Sequence, residues 1–184
     1  MDKPLLLIDV DGVLNPFQSS SPPPGFNTHF IKAKSRSPQN ISEEEGRTYK
    51  LFLSSRHAEW LQSLQERAEL VWATTWGDFD QANRLLSPIF SLPSLPTIQL
   101  DYSCLHSFDC PPTWKLASIQ AFAKDRPLIW LDDDLHQDAF AWAAQRPSPT
   151  LLILCNPIVG WVRKEYDKIL RFLNAPSNGF VNRL

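Results

Sequence analysis

The sequence is short of cysteine and of net charge, and each shortage excludes something. Its three cysteines, Cys104, Cys110 and Cys155, form no Cys-x-x-Cys pair, so neither a zinc site nor a disulfide framework is signalled. Unpatterned cysteines fit a reducing compartment. The four histidines, His29, His57, His106 and His136, lack metal-ligand spacing and read as surface or internally satisfied residues. The formal net charge is −2, so no strong overall field recruits nucleic acid or an acidic membrane, which still leaves room for a local basic groove. No apolar run is long enough to span a bilayer. The first one stops at Asp9, too short for a secretory signal. No internal repeat is visible. The expectation is a soluble, cytoplasmic protein whose oligomeric state the sequence leaves open. With 43% hydrophobic and 21% charged residues among 184, one domain over 1–184 with an insertion at about 16–53 is expected.

What is present is a series of short apolar runs, each ending in polar residues. Leu5-Leu6-Leu7-Ile8 runs into Asp9-Val10-Asp11-Gly12 and reads as a buried parallel strand closed by a turn. Residues two apart share a side of a strand, so Asp9 and Asp11 leave it as like charges that need a cation, a shared proton or strong donors. Residues 70–73 form a second run, ending in Thr74-Thr75-Trp76-Gly77. Residues 97–100 suggest a third, shorter strand, and residues 127–131 a fourth that meets Asp132-Asp133-Asp134. A divalent cation with oxygen ligands would relieve three adjacent carboxylates. Residues 150–155 make the fifth. Helical spacing between the runs implies an α/β fold with a parallel sheet, whose ligands bind beyond the carboxyl ends of the strands.

Smaller signals place the helices. Ser54 or Ser55 caps the first, which carries Trp60, Leu61 and Leu64. Asp78 with Gln81, and Asp134 with Gln137, have capping-box spacing. Thr113 is expected to cap a helix bearing Lys115 in its first turn, where a cation opposes the helix dipole and needs a reason to be. Asp138 reads as an exposed helix residue, with a further acid supporting the cluster as the alternative, and residues 162–173 read as the last helix. Within the Pro- and Ser-rich insertion, residues 26–34 and 48–53 alternate as a hairpin. Its basic residues Lys32, Lys34 and Arg36 read as a solvated edge or as phosphate contacts. Trp60, Trp72, Trp130 and Trp142 read as packing residues. Trp76 and Trp114 are either a stacking wall for a base or packing under the hairpin.

Residues 5–15 resemble motif I of the haloacid dehalogenase-like superfamily, Asp-x-Asp-Gly-x after an apolar strand. The strand ending in Thr74 resembles motif II, Lys115 motif III, and the strand ending in Asp132-Asp133 motif IV. More narrowly, the start Asp9 to Pro16, Trp72 to Trp76, Ala82-Asn83 and Trp130 to Asp133 are similar to the haloacid dehalogenase-like domain of Swiss army knife RNA-repair proteins. The resemblance implies a Rossmann-like three-layer sandwich with a central, mainly parallel five-stranded sheet and a small β-hairpin cap inserted after strand 1. It implies an Mg2+-dependent phosphatase working through an aspartyl-phosphate. Asp9 would be the nucleophile and Asp11 the general acid and base. Thr74, with Thr75 as second choice, and Lys115 would bind phosphate. Asp9, the Asp11 carbonyl and Asp132 or Asp133 would hold the metal. An acid at position 11 suits phosphoryl hydrolysis rather than dehalogenation. The expected partner is a phosphorylated substrate, a nucleotide or nucleic-acid end. The alternatives are a small-metabolite phosphatase and a non-catalytic phosphate- or partner-binding module.

Overall fold

The computed structural model describes residues 3–34 and 46–175. Arg36 with the expected hairpin tip, and the tail from Pro176, lie outside them. Strand β1 (Leu5–Ile8) is followed by β2 (Asn27–Ala33), β3 (Arg47–Leu53), α1 (Ser55–Gln65), β4 (Glu69–Trp72), α2 (Leu116–Ala123), β5 (Leu128–Asp132), α3 (Gln137–Gln145), β6 (Thr150–Leu154) and α4 (Arg163–Asn174). Four strands make a wholly parallel sheet in the order β4-β1-β5-β6.

The alternation along β1 explains the layers. Leu6 and Ile8 join a core that includes Leu61 and Leu64 of α1 and Tyr166 and Ile169 of α4. Leu5 and Leu7 join a second core with Ile119 and Ala123 of α2 and Ala139 of α3. Helices thus cover both faces, which is why the central strand is apolar at every position. Ser54 caps α1, its hydroxyl accepting from Arg56 N–H at 3.3 Å. At α4 the Glu165 carboxylate accepts from Val162 N–H at 2.8 Å.

Several expectations need correction. The expected third strand of the sheet, residues 97–100, makes only an isolated parallel bridge between Thr97 and Trp72. Ile98 and Leu100 are buried, but β4 has only four residues to pair with and Pro96 has no N–H to give the ladder. The sheet therefore has four strands. The helix expected from Asp78 does not start there. Asp78 is extended, while Phe79 and Asp80 are left-handed at φ 54° and 56°, and a single π turn follows at Ala82–Leu86. Gln81 is committed to the hairpin instead, accepting from Lys34 N–H at 2.5 Å and donating to its carbonyl at 3.1 Å. Asp134 makes no capping box with Gln137; it bonds the ring of His136 at 2.8 Å. Cys104 and Cys110 are not free thiols but a disulfide across a short loop, a spacing that matched no recognised pattern. The argument from cysteine usage for a reducing compartment therefore lapses. Cys155 is free and buried.

The hairpin β2–β3 is a separate antiparallel pair, registered Asn27 to Leu53 through Ala33 to Arg47. Ile31, Ala33, Leu51 and Leu53 face the core, whereas Phe30 is exposed. Among the described residues no helix is long and apolar enough to cross a membrane.

Candidate active site

The register of the sheet brings the first two acids together. Ile8 of β1 pairs with Leu131 of β5, so the following residues, Asp9 and Asp132, emerge side by side at the carboxyl ends. Both continue the alternation of Leu7 and Trp130, which points toward the α2 layer. Lys115 stands at the start of that helix. Its ammonium donates to Asp9 Oδ2 at 2.5 Å and to Asp132 Oδ2 at 2.8 Å. Asp9, Lys115 and Asp132 are 5%, 4% and 0% exposed, so Lys115 is no solvent-facing lysine. Asp132 also accepts Trp130 Nε1–H at 3.2 Å and Asp134 N–H at 3.0 Å.

One ammonium does not neutralise this floor. Asp133 is half-buried beside it, and an oxygen from each of Asp9, Asp132 and Asp133 can be chosen so that all lie within 4.8 Å of one another. Burial is the main force on their protonation. It pushes Asp9 up to about 7 against the pull of Lys115, and with Asp9 beside it pushes Asp133 up to about 6. Burial raises Asp132 as well. Burial alone would depress Lys115, but Asp132 and Asp9 outweigh it and hold the ammonium above its usual range. Clustered hard oxygen donors with excess negative charge are what a divalent cation of the Mg2+ or Ca2+ kind requires. Gly12 keeps the cluster together: its φ is +76°, and a Cβ there would fall 2.5 Å from that of Asp133.

Asp11 is held differently. Asn15 Nδ2–H donates to its Oδ1 at 2.7 Å and Trp76 Nε1–H to its Oδ2 at 2.9 Å. It borders a cavity of about 370 Å³ shared with Lys34, Tyr49, Thr75, Trp76 and Tyr102. The two threonines have different surroundings. Thr74 is buried and its hydroxyl accepts from Trp76 N–H at 3.3 Å, whereas Thr75 is exposed and lines the cavity. Trp76 is buried, with its ring centre 5.4 Å from that of Tyr49. Trp114 does not line this cavity; it packs 5.4 Å from Tyr102, with the Lys115 ammonium 5.8 Å from its ring centre.

Sequence reading missed the supports. Thr113 does not cap α2. Its N–H and hydroxyl donate to the Asp138 carboxylate at 3.0 and 2.6 Å, and its oxygen accepts His136 N–H at 2.9 Å. Asp138, read as an exposed residue ahead of a supporting acid, thus anchors the turn that delivers Lys115. Nothing in the spacing of positions 113 and 138 announces this. Asn15 carried a weak signal, as a polar residue inside an apolar turn.

A parallel α/β sheet with two neighbouring strands ending in buried aspartates, bridged by a lysine from the next layer, defines a haloacid dehalogenase-like hydrolase. The chain belongs to the family of HAD domains in Swiss Army Knife RNA repair proteins, whose model matches residues 5–165. No curated protein matches it significantly.

Proposed function

We propose that the protein is an Mg2+-dependent phosphatase that forms an aspartyl-phosphate on Asp9 and acts on nucleotide or nucleic-acid-end phosphates. One observation carries the reading: a buried carboxylate, fixed by Lys115, lies within a trio of acids at the carboxyl ends of the strands. Asp9, Asp132 and Asp133 would hold the ion together with the Asp11 carbonyl, and the ion would offset charge on the phosphoryl group. Asp9 attacks phosphorus as the bond to the leaving oxygen breaks, and Asp11 supplies that oxygen with a proton. Asp11 then takes a proton from water as the water attacks the aspartyl-phosphate, which releases phosphate and restores Asp9. Lys115 and the threonines, Thr75 from the cavity wall and Thr74 behind it, stabilise the equatorial oxygens.

The cavity beside Asp11, where the leaving group would sit, supports the substrate class. Tyr49, Trp76 and Tyr102 give it aromatic walls and Lys34 a cation. An adjoining cavity of about 250 Å³ adds Lys32 and Arg84. Aromatic faces beside cations suit a nucleobase with a backbone phosphate. In this reading the domain spans the chain and the 16–53 insertion serves as its cap. The test compares kcat/KM on 3′- and 5′-phosphorylated oligonucleotides, mononucleotides and sugar phosphates, with Mg2+ and with excess chelator. Oligonucleotides or nucleotides are expected to lead, and chelator to abolish turnover. A sugar phosphate ahead by about tenfold, roughly 1.4 kcal/mol in the transition state, refutes the substrate class. Full activity in chelator refutes the metal, and no turnover on any phosphoester refutes the enzyme.

A further inference from the structure

We propose that Asn15 and Trp76 are positioning residues that make the β2–β3 hairpin part of the acid–base apparatus. The proposal deepens the phosphatase reading and rests on the role given there to Asp11. The Asp11 carboxylate has two donors from two different segments, one on each oxygen. Neither donor is free to wander, because strand β3 holds both. Asn15 is buried, and its Oδ1 accepts Phe52 N–H at 2.9 Å. Trp76 is buried, and its indole packs against Tyr49 with ring centres 5.4 Å apart and the rings inclined at 67°.

The chemistry at position 15 is specific. Its side chain must accept from a backbone N–H and donate to a carboxylate at the same time. Only an amide of this length does both: Asp lacks the donor and Leu lacks both groups. The chain turns tightly here, with Asn15 N–H donating to Val10 O at 2.8 Å and Gly12 N–H to Asn15 O at 2.8 Å. Position 15 thus reaches back to Asp11 while touching β3. Tyr49 and Trp76 also line the leaving-group cavity. The residues that meet the leaving group therefore also hold the acid that protonates it. A displaced hairpin would carry both donors with it, and a misplacement of about 1 Å is enough to cost on the order of a hundredfold in rate.

The experiment uses the full chain with Mg2+ and a series of aryl and alkyl phosphates of graded leaving-group acidity. Trp76→Phe keeps the ring against Tyr49 and removes the N–H; Asn15→Leu removes both amide contacts. Each is expected to lower kcat about tenfold on the poorest leaving group and less than twofold on the best, with KM nearly constant, as loss of proton donation requires. A uniform loss along the series, or a change in KM alone, overturns the proposal. The Trp76 indole N–H resonance, assigned by its absence in Trp76→Phe, gives a readout independent of turnover. Asp11→Asn and Tyr49→Ala should both shift it, and an unmoved signal in either overturns the proposal. Absence of turnover in the unaltered protein would refute the phosphatase reading, while the resonance would still decide whether the hairpin reaches Asp11.

Discussion

The floor and the wall of the site hold their carboxylates in opposite ways. On the floor, Asp9 and Asp132 share one buried ammonium with Asp133 close by. At the wall, Asp11 is held at a cavity edge by two neutral N–H donors. Charges on the floor are mutually dependent, since removing one leaves the others buried and uncompensated. Contacts at the wall are individually modest, about 1.5–3 kcal/mol each for hydrogen bonds to a carboxylate. In the proposed function the floor is thus where the site stores electrostatic free energy for binding a cation and a phosphoryl group. The wall governs geometry, and geometry can be tuned by whatever touches the hairpin.

The sharpest test of that contrast is Asp9, the proposed nucleophile. Asp9→Asn removes a carboxylate from the floor and, in the proposed mechanism, the attacking group with it. Turnover should fall by more than about 10³-fold, and no phosphoprotein should accumulate on rapid acid quench. The fold should persist, because the amide is isosteric and can still meet Lys115 through its oxygen. A variant that keeps a tenth of its activity would place the nucleophile elsewhere.

Lys115→Met asks what the floor costs without its cation. Two buried carboxylates lose their shared partner, which predicts destabilisation of about 3–5 kcal/mol at pH 8. The sign of the pH dependence follows from burial. Asp9 and Asp133 already sit near 7 and 6, above their ordinary 3.8. Groups raised in this way contribute stability that is full below about 4 and is lost as pH rises through 6 to 7. Without the ammonium their protonation moves to still higher pH. The deficit of Lys115→Met should therefore shrink as the pH falls from 8 to 5, as urea unfolding of metal-free protein would show. A deficit independent of pH would mean that packing, not charge, is what Lys115 supplies.

The two regions also differ in how far the sequence reveals them. Asp9, Lys115, Asp132 and Asp133 were legible because each follows from a local rule: an apolar run ends, or a cation stands where the helix dipole disfavours it. The order of the strands then brings them together. The wall is assembled from a hairpin, a broken helix and a loop, and no local rule joins them. Gln81 shows the difficulty. Its spacing from Asp78 fits a capping box, but a hydrogen-bonding pair to the Lys34 backbone, 47 positions away, takes the side chain instead. Residues 97–100 show another limit. Read as a short strand, they do bury Ile98 and Leu100, yet burial does not require a ladder, and the bridge at Thr97 is all that forms of one.

The smallest expected effect tests whether the floor, too, has a positioning support. Asp138 accepts from both the N–H and the hydroxyl of Thr113, two residues before Lys115. Asp138→Asn keeps the shape but turns one acceptor oxygen into an NH2 group, so one of the two Thr113 donors loses its partner. The loss should be about 1 kcal/mol in stability, the scale of one hydrogen bond to a charged acceptor at a partly exposed site. If the Thr113 turn sets the reach of the ammonium, kcat should also fall about threefold, equally for good and poor leaving groups. In the proposed mechanism Lys115 acts on the phosphoryl oxygens rather than on the departing one, so its misplacement would carry no leaving-group signature. That uniform loss would contrast with the graded loss expected of Trp76→Phe. Should Asp138→Asn instead slow poor leaving groups selectively, the separation of floor from wall would fail, and the two supports would have to be treated as one network.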